Sequence, residues 1–323
     1  MGNVMNIGRL IGNTPMIKIN YEFEGKEGSI YSKLEYYNYS GSIKDRIALY
    51  IIQNERENGN LKDGQAIVEV TSGNTGISFS AIGALYGHDV HIFMPDWVSL
   101  ERRNLIEMYG AHVHLVSKEE GGFKKALELA EEFAKENDAF RPLQFDNPLN
   151  VEAQYTTTGQ EIIDALPEVN AFVSGIGTGG TLIGIGKRIK DNNPDSKLFA
   201  LEPSTLSILK MGMEEGSHLI EGIGDDFIPG IVEEDLIDDI VLIDDCDAIN
   251  MSKRIAKEFG LGIGISSGAN FLAGVLMDSD DLTVATVFAD DNKKYITTKL
   301  SEEIDDNPEL KSNKIKLIGF EVI

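Results

Sequence analysis

Apolar runs of about four to seven residues alternate with segments of helical period along almost the whole chain. A short run without polar interruption suits a strand buried on both faces. A helical segment between two such runs returns the chain for the next parallel strand. The alternation therefore predicts an α/β protein with parallel-type sheets flanked by helices. Strands are expected over 30–34, 66–70, 89–94, 111–116, 171–174, 197–202, 240–243 and 282–288. Helices are expected near 44–57, 74–86, 100–109, 123–137, 151–165, 181–190, 246–258 and 269–277. Glycine just past the last turn, as at Gly59, Gly87, Gly110 and Gly260, can close a helix in the left-handed region. The stretch 314–323 alternates like an edge strand, and the acidic segment 233–239 reads as a solvated loop.

The 323 residues suffice for about two domains, or for one large domain with a smaller one embedded. No apolar run approaches the roughly 20 residues that span a bilayer. The first six residues lack a basic region followed by an apolar core, and Asn6 stands where a myristoylation pattern needs Ser or Thr; a cytoplasmic protein without a membrane partner is expected. Asp and Glu outnumber Lys and Arg by 53 to 29, and the resulting charge of -24 repels nucleic acid. The partner class is then small molecules. A single cysteine, Cys246, excludes an internal disulfide and a zinc cage of thiolates, and its acidic neighbours argue against a nucleophile.

Three glycine-rich turns lead into helices. Thr71-Ser72-Gly73-Asn74-Thr75-Gly76 follows a strand, so backbone N–H groups and hydroxyls converge there on a positive helix end suited to a carboxylate or phosphate. An ordinary capped turn is the plainer reading. Gly175-Ile176-Gly177-Thr178-Gly179-Gly180-Thr181 also fits a dinucleotide fingerprint, with Glu202 about 20 residues further on. The hydroxyls of Thr178 and Thr181 and the mid-chain position favour a phosphate monoester over a dinucleotide. In Gly264-Ile265-Ser266-Ser267-Gly268 a serine could meet a ligand ring nitrogen or cap the helix. Lys44, in Gly41-Ser42-Ile43-Lys44-Asp45-Arg46, opens an amphipathic helix after a Gly/Ser turn, a place where an amine can be held for covalent work. His112 and His114 share one strand face and His91 comes from another strand, but these strands supply no third and fourth metal ligand, so no metal is expected. Tyr36, Tyr37 and Tyr39 suit a substrate mouth or simple packing.

Together these blocks resemble the cysteine synthase and cystathionine β-synthase family of pyridoxal-phosphate enzymes. The remaining blocks are Ile11-Gly12-Asn13-Thr14-Pro15, Met94-Pro95 with Ser99 and Glu101-Arg102-Arg103, and residues 144–150. The resemblance implies a tryptophan-synthase-β-like fold of type II. A smaller mobile domain of residues 43–148 would be inserted between 1–42 and 149–323, and the protein would be a homodimer. It implies pyridoxal 5'-phosphate as cofactor, bound covalently by Lys44, which also removes the substrate α-proton. Gly177, Thr178, Gly179, Gly180 and Thr181 would hold the phosphate, Asn74 would contact the ring hydroxyl, and Ser266 would face the ring nitrogen. Thr71, Ser72, Gly73, Thr75 and Gln144 would bind an amino-acid carboxylate.

The implied chemistry is β-elimination or β-replacement on cysteine, serine or O-acetylserine through an α-aminoacrylate. In Glu221-Gly222-Ile223-Gly224-Asp225-Asp226-Phe227, the acidic Asp226 resembles the cystathionine β-synthase pattern more than plain cysteine synthases. It would activate the second nucleophile, which leans toward an enzyme that consumes cysteine or serine and releases hydrogen sulfide. A plain cysteine synthase is the alternative. A nicotinamide-dependent oxidoreductase and a catalytically silent, cofactor-bound regulatory partner are the rivals from other classes.

Overall fold

The structure is a computed structural model that describes residues 7–213, 215–303 and 307–323. The first six residues, where no signal was read, lie outside the described residues. Ten strands run in order: β1 (Met16–Phe23), β2 (Lys26–Leu34), β3 (Ile67–Val70), β4 (Val90–Pro95), β5 (His112–Val116), β6 (Ala171–Gly175), β7 (Lys197–Pro203), β8 (Asp239–Ile243), β9 (Val284–Phe288) and β10 (Lys316–Val322). The helices are α1 (Lys44–Glu57), α2 (Asn74–Tyr86), α3 (Leu100–Met108), α4 (Gly122–Asn137), α5 (Pro148–Thr156), α6 (Thr158–Ala165), α7 (Gly180–Asn192), α8 (Ile208–Met211), α9 (Asp245–Phe259), α10 (Ile265–Met277) and α11 (Lys311–Lys314). Among the described residues no helix is long and apolar enough to cross a membrane.

Two sheets form. The smaller, β3-β4-β5, is wholly parallel. Val68, Val70, Phe93 and Val116 on one face pack on Ala126, Ala130 and Ala134 of α4. Ile67, Ile92 and Met94 on the other meet Ile77 and Phe79 of α2 and Ala48 and Ile52 of α1. The larger sheet has the order β10-β1-β2-β9-β6-β7-β8. One face packs on α9 and α10 through Ile19, Ile30 and Val173 against Met251, Phe271 and Leu272. Phe172, Leu198, Ala285 and Val287 on the other face pack on Leu182, Ile185 and Ile189 of α7 and Ile162 of α6.

This larger sheet is mixed rather than parallel throughout. Strand β1, absent from the predicted strands, turns into β2 through Glu24 and Gly25, both with positive φ, and so tight a hairpin allows only antiparallel pairing. Strand β10 pairs antiparallel with β1 at the edge, as the alternation of 314–323 predicts. The helix expected over 151–165 is two helices. Thr156 and Thr157 donate hydroxyls back to carbonyls of the preceding turn, which competes with the helical ladder, and the chain breaks at Thr157 with φ -112° and ψ -80°. Part of the acidic segment 233–239 forms a 3-10 turn over Glu234–Leu236, and Asp239 already belongs to β8.

Behind the start of α1 lies a buried charge network. Arg46 donates to both carboxylate oxygens of Glu35 at 2.6 and 2.8 Å and to both of Glu161 at 2.6 and 2.8 Å. Lys33 adds a bond to Glu161 at 2.7 Å, and Thr14 one to Glu35 at 2.7 Å. Two cations thus face two anions, and β2, α1 and α6 are tied together at one point.

Candidate functional site

The C-terminal ends of β3, β6 and β9 open into one cleft between the two sheets, where a parallel α/β sheet commonly carries its ligand. Its volume is about 910 Å³, part of it open to solvent. The chain brings to its wall Lys44, Thr71, Ser72, Gly73, Asn74, Thr75, Gln144, Gly177, Thr178, Gly179, Thr181 and Ser266. These positions span more than 220 residues of sequence, and the fold gathers them at one place.

Lys44 enters at the first residue of α1. Gly41, at φ +86°, turns the chain just before it, and the Lys44 N–H donates to Ser42 Oγ at 3.2 Å. Among the described residues the Lys44 ammonium makes no hydrogen bond and no ion pair. Burial lowers its pKa from 10.5 to about 8, a shift that nearby Asp225 and Asp290 partly oppose. It is an amine poised to lose its proton near neutrality.

Opposite, the turn into α7 forms a cup of bare backbone. A side chain at Gly177 would collide with the Gly222 carbonyl, and one at Gly179, already left-handed at φ +86°, with Val232. Among the described residues the N–H groups of Gly177, Thr178 and Gly179 have no acceptor, so they stand free at a positive helix end. Thr181 adds a hydroxyl to the wall, and Ser266 faces the cleft from the first turn of α10. This donor set fits a phosphate monoester with a ring reaching toward an amine, as pyridoxal phosphate would.

Gly180, expected in the phosphate set, does not line the cleft. Its absent side chain instead lets α7 pass against the Asn150 amide, while its N–H faces Thr178 Oγ1 at 3.4 Å.

The 71–75 turn is held from below. Gly73 donates its N–H to Thr71 Oγ1 at 3.1 Å, and Thr75 donates to Gln144 Oε1 at 2.7 Å, while Gln144 Nε2 donates to the Val70 carbonyl at 2.6 Å. Asn74 is fixed on both sides, donating to Asp290 at 2.7 Å and accepting from Lys294 at 3.0 Å. Tyr295 donates to the same Asp290 oxygen at 2.8 Å. Beneath Gly73 lies the Arg102 guanidinium, stacked on Tyr295 with its carbon 4.6 Å from the ring centre and paired with Glu221.

The carboxylate in the wall is Asp225, not Asp226. Asp226 is exposed and lines nothing, whereas Asp225 is partly buried beside Lys44. Gly224, at φ +75°, sets the turn from which Asp225 enters the cleft wall while Asp226 stays in solvent. Burial first, and the charge of Asp226 second, raise the Asp225 pKa from 3.8 to about 6, with Lys44 opposing. Sequence reasoning also missed Arg102, Asp290 and Lys294 as groups of the site. For Asp290 and Lys294 the one visible signal was the polar run Asp290-Asp291-Asn292-Lys293-Lys294 directly after an apolar strand, and for Arg102 it was its place in the block Glu101-Arg102-Arg103.

Comparison with known proteins agrees with this geometry. Residues 7–288 match a family described as pyridoxal-phosphate dependent enzymes. A cysteine synthase of Staphylococcus aureus is 40% identical over 302 residues, which covers 92% of this chain and 97% of that protein. A hydrogen sulfide-producing enzyme from Fusobacterium nucleatum superposes with a TM-score of 0.95 at 46% identity, over 98% of this chain and 97% of that one. A variant of that enzyme with one aspartate changed to asparagine has been solved with an α-aminoacrylate intermediate. An O-acetylserine dependent cystathionine β-synthase from Helicobacter pylori superposes with a TM-score of 0.85 at 33% identity, over 94% of this chain and all of that one.

Proposed function

The chain belongs to the family of pyridoxal-phosphate dependent enzymes, and from that premise we propose that it carries out β-elimination and β-replacement on cysteine or serine, releasing hydrogen sulfide when cysteine is consumed. The observation that carries this reading is that Lys44, with no partner among the described residues, and a carboxylate, Asp225, line one cleft. Held by Lys44, the cofactor supplies an electron sink that acidifies the α-hydrogen of an amino acid and opens loss of its Cβ substituent.

Gly177, Thr178, Gly179 and Thr181 hold the phosphate with backbone N–H groups and hydroxyls. Ser266 meets the ring nitrogen with a hydroxyl. A hydroxyl does not stabilise a protonated ring as a carboxylate would, which keeps the chemistry on β-elimination. Asn74, clamped by Asp290 and Lys294, presents its remaining N–H to the ring hydroxyl. The 71–75 turn, with Thr71, Ser72, Gly73, Thr75 and Gln144, receives the substrate carboxylate, and the Arg102 charge beneath Gly73 adds to its pull. Lys44, once neutral, takes the α-proton. Residues 43–148 act as a smaller mobile domain that closes over the substrate and excludes water. The pair Arg102–Glu221 joins that unit to the loop bearing Asp225.

Asp225 takes the place in this reading that the family resemblance assigns to Asp226. A carboxylate with a pKa near 6 is largely ionised at neutrality and can accept the proton of an incoming water, alcohol or thiol. Sulfide, already partly ionised at neutrality, needs no such base. A homodimer in the cytoplasm completes the proposal. A plain cysteine synthase, joining O-acetylserine to sulfide, is the second reading, favoured by the name of the Staphylococcus aureus relative. Cofactor-loaded enzyme given L-cysteine alone should release sulfide. Rapid conversion of O-acetylserine and sulfide with no sulfide from cysteine alone would favour the second reading instead.

A further inference from the structure

Away from the cleft, the face of the smaller sheet that packs on α4 gathers three histidines and an aspartate. His91 of β4 and His112 of β5 are direct cross-strand partners, so their side chains share a face. Asp89, two residues before His91, and His114, two after His112, fall on that same face by alternation. The Asp89 carboxylate lies 3.1 Å from His112 Nε2 and 3.3 Å from His91 Nε2, and one ligand atom from each of the three residues lies within 4.8 Å of the others. The strand expected over 89–94 already contains Asp89, and a reading of the histidines alone passes it over.

We propose that Asp89, His91 and His112 form a binding site for a borderline transition-metal dication of the Zn²⁺ type. Two imidazole nitrogens and one carboxylate oxygen are the donors such an ion selects, whereas Mg²⁺ and Ca²⁺ prefer oxygen alone. Bonds of about 2.0–2.1 Å in a tetrahedron put ligand atoms about 3.4 Å apart, close to the separations between the carboxylate and each imidazole. The two contacts are to different carboxylate oxygens, Oδ1 and Oδ2, so the Asp89 carboxylate and the imidazoles would turn to bring one oxygen and both nitrogens onto a single ion.

The surroundings hold the ligands in place. His91 stacks on His112 with ring centres 4.6 Å apart and packs on Phe133 of α4 at 4.3 Å. His91 Nδ1 lies 3.1 Å from His114 Nε2. Without an ion the His91 Nε2–H donates to the Asp89 carboxylate and Nδ1 accepts from His114 Nε2; an ion bound at Nε2 would move that proton to Nδ1, which would then donate to His114, the orienting contact that metal-bound imidazoles usually have. His114 is in turn fixed over Phe93, ring to ring, at 4.3 Å. His112 and Asp89 are more than half exposed, which leaves the remaining coordination positions to water.

The test titrates ZnCl₂ into tag-free, cofactor-loaded enzyme by calorimetry and follows the melting temperature. One Zn²⁺ per chain is expected, with a rise in melting temperature that MgCl₂ does not reproduce. His112→Ala and Asp89→Asn, both at exposed side chains, should melt like the parent without zinc and bind Zn²⁺ about tenfold more weakly or worse. The proposal is overturned if the parent binds no Zn²⁺ at millimolar concentration. It is equally overturned if both variants bind with unchanged affinity and stoichiometry.

Discussion

Lys44 and Arg46 enter α1 two positions apart, and the fold treats them in opposite ways. Arg46 is locked between Glu35 and Glu161 with four hydrogen bonds, and Lys33 completes a neutral cluster. Lys44, one face round the helix, reaches the cleft with no partner among the described residues and carries a lowered pKa. A buried cation that is fully paired contributes rigidity. One left unpaired is costly to keep charged and therefore reactive. The contrast separates a charge that organises the protein from a charge that performs its chemistry.

The sharpest way to test that contrast is to remove each cation. Lys44→Ala should lower turnover by on the order of 10⁴-fold or more, because it removes both the covalent anchor and the base. Its melting temperature without cofactor should stay within a few degrees of the parent. The variant should also be colourless and should not be labelled by borohydride. Arg46→Met should do the reverse. It strands Glu35 and Glu161 in the interior and should cost about 3–5 kcal/mol in chemical denaturation, while the chain that still folds retains its yellow cofactor.

A smaller effect is expected at the loop facing Lys44. Asp225→Asn should slow the second half of the reaction about 10²–10³-fold, seen as slower decay of the absorbance that builds up on mixing with substrate. Asp226→Asn should change it less than about twofold, since its carboxylate acts on the site only through the charge it adds beside Asp225. Equal effects from the two would remove Asp225 from the mechanism.

The smallest effects come from titration, and they too divide the two cations. Capture of pyridoxal phosphate by cofactor-free protein needs the neutral Lys44 amine, so its rate should climb as pH rises through about 8 and level off above. The Glu35 and Glu161 carboxyls are both held low: burial pushes each up, and the Arg46 and Lys33 charges outweigh it. A depressed carboxyl adds stability that is complete above its unfolded range near pH 4.3 and is lost as pH falls toward its folded value, about 2 for Glu161. Acid denaturation of the parent should therefore show this loss, and Arg46→Met should lack it.

Much of the fold was legible because most strands lie in parallel pairs buried on both faces, which leaves continuous apolar runs. Strand β1 escaped because Ile17, Ile19 and Tyr21 alternate with Lys18, Asn20 and Glu22, a pattern of one buried face rather than two. Nothing local in Leu-Thr-Val-Ala-Thr-Val-Phe over 282–288 tells that β9 belongs in the middle of the sheet, since pairing partners are a property of the whole chain. In the site, turns with a glycine signature could be read, because bare backbone is itself the signal. The choice between Asp225 and Asp226 could not, since it depends on which way one side chain leaves a loop. Asp290 and Lys294 were hidden for a related reason: their work is to hold Asn74, more than 200 residues away.

The central position of β9 also sets an order of events. Strands β2 and β6 each pair with β9 and not with one another, so the halves of the larger sheet join only when residues 284–288 arrive. During synthesis Lys44 and the cup at α7 emerge long before the strand that brings them together. The nascent chain therefore carries its reactive amine through most of translation without a cleft around it. Cofactor capture becomes a late step, dependent on the last parallel strand and on a closure of high contact order that is slow by nature.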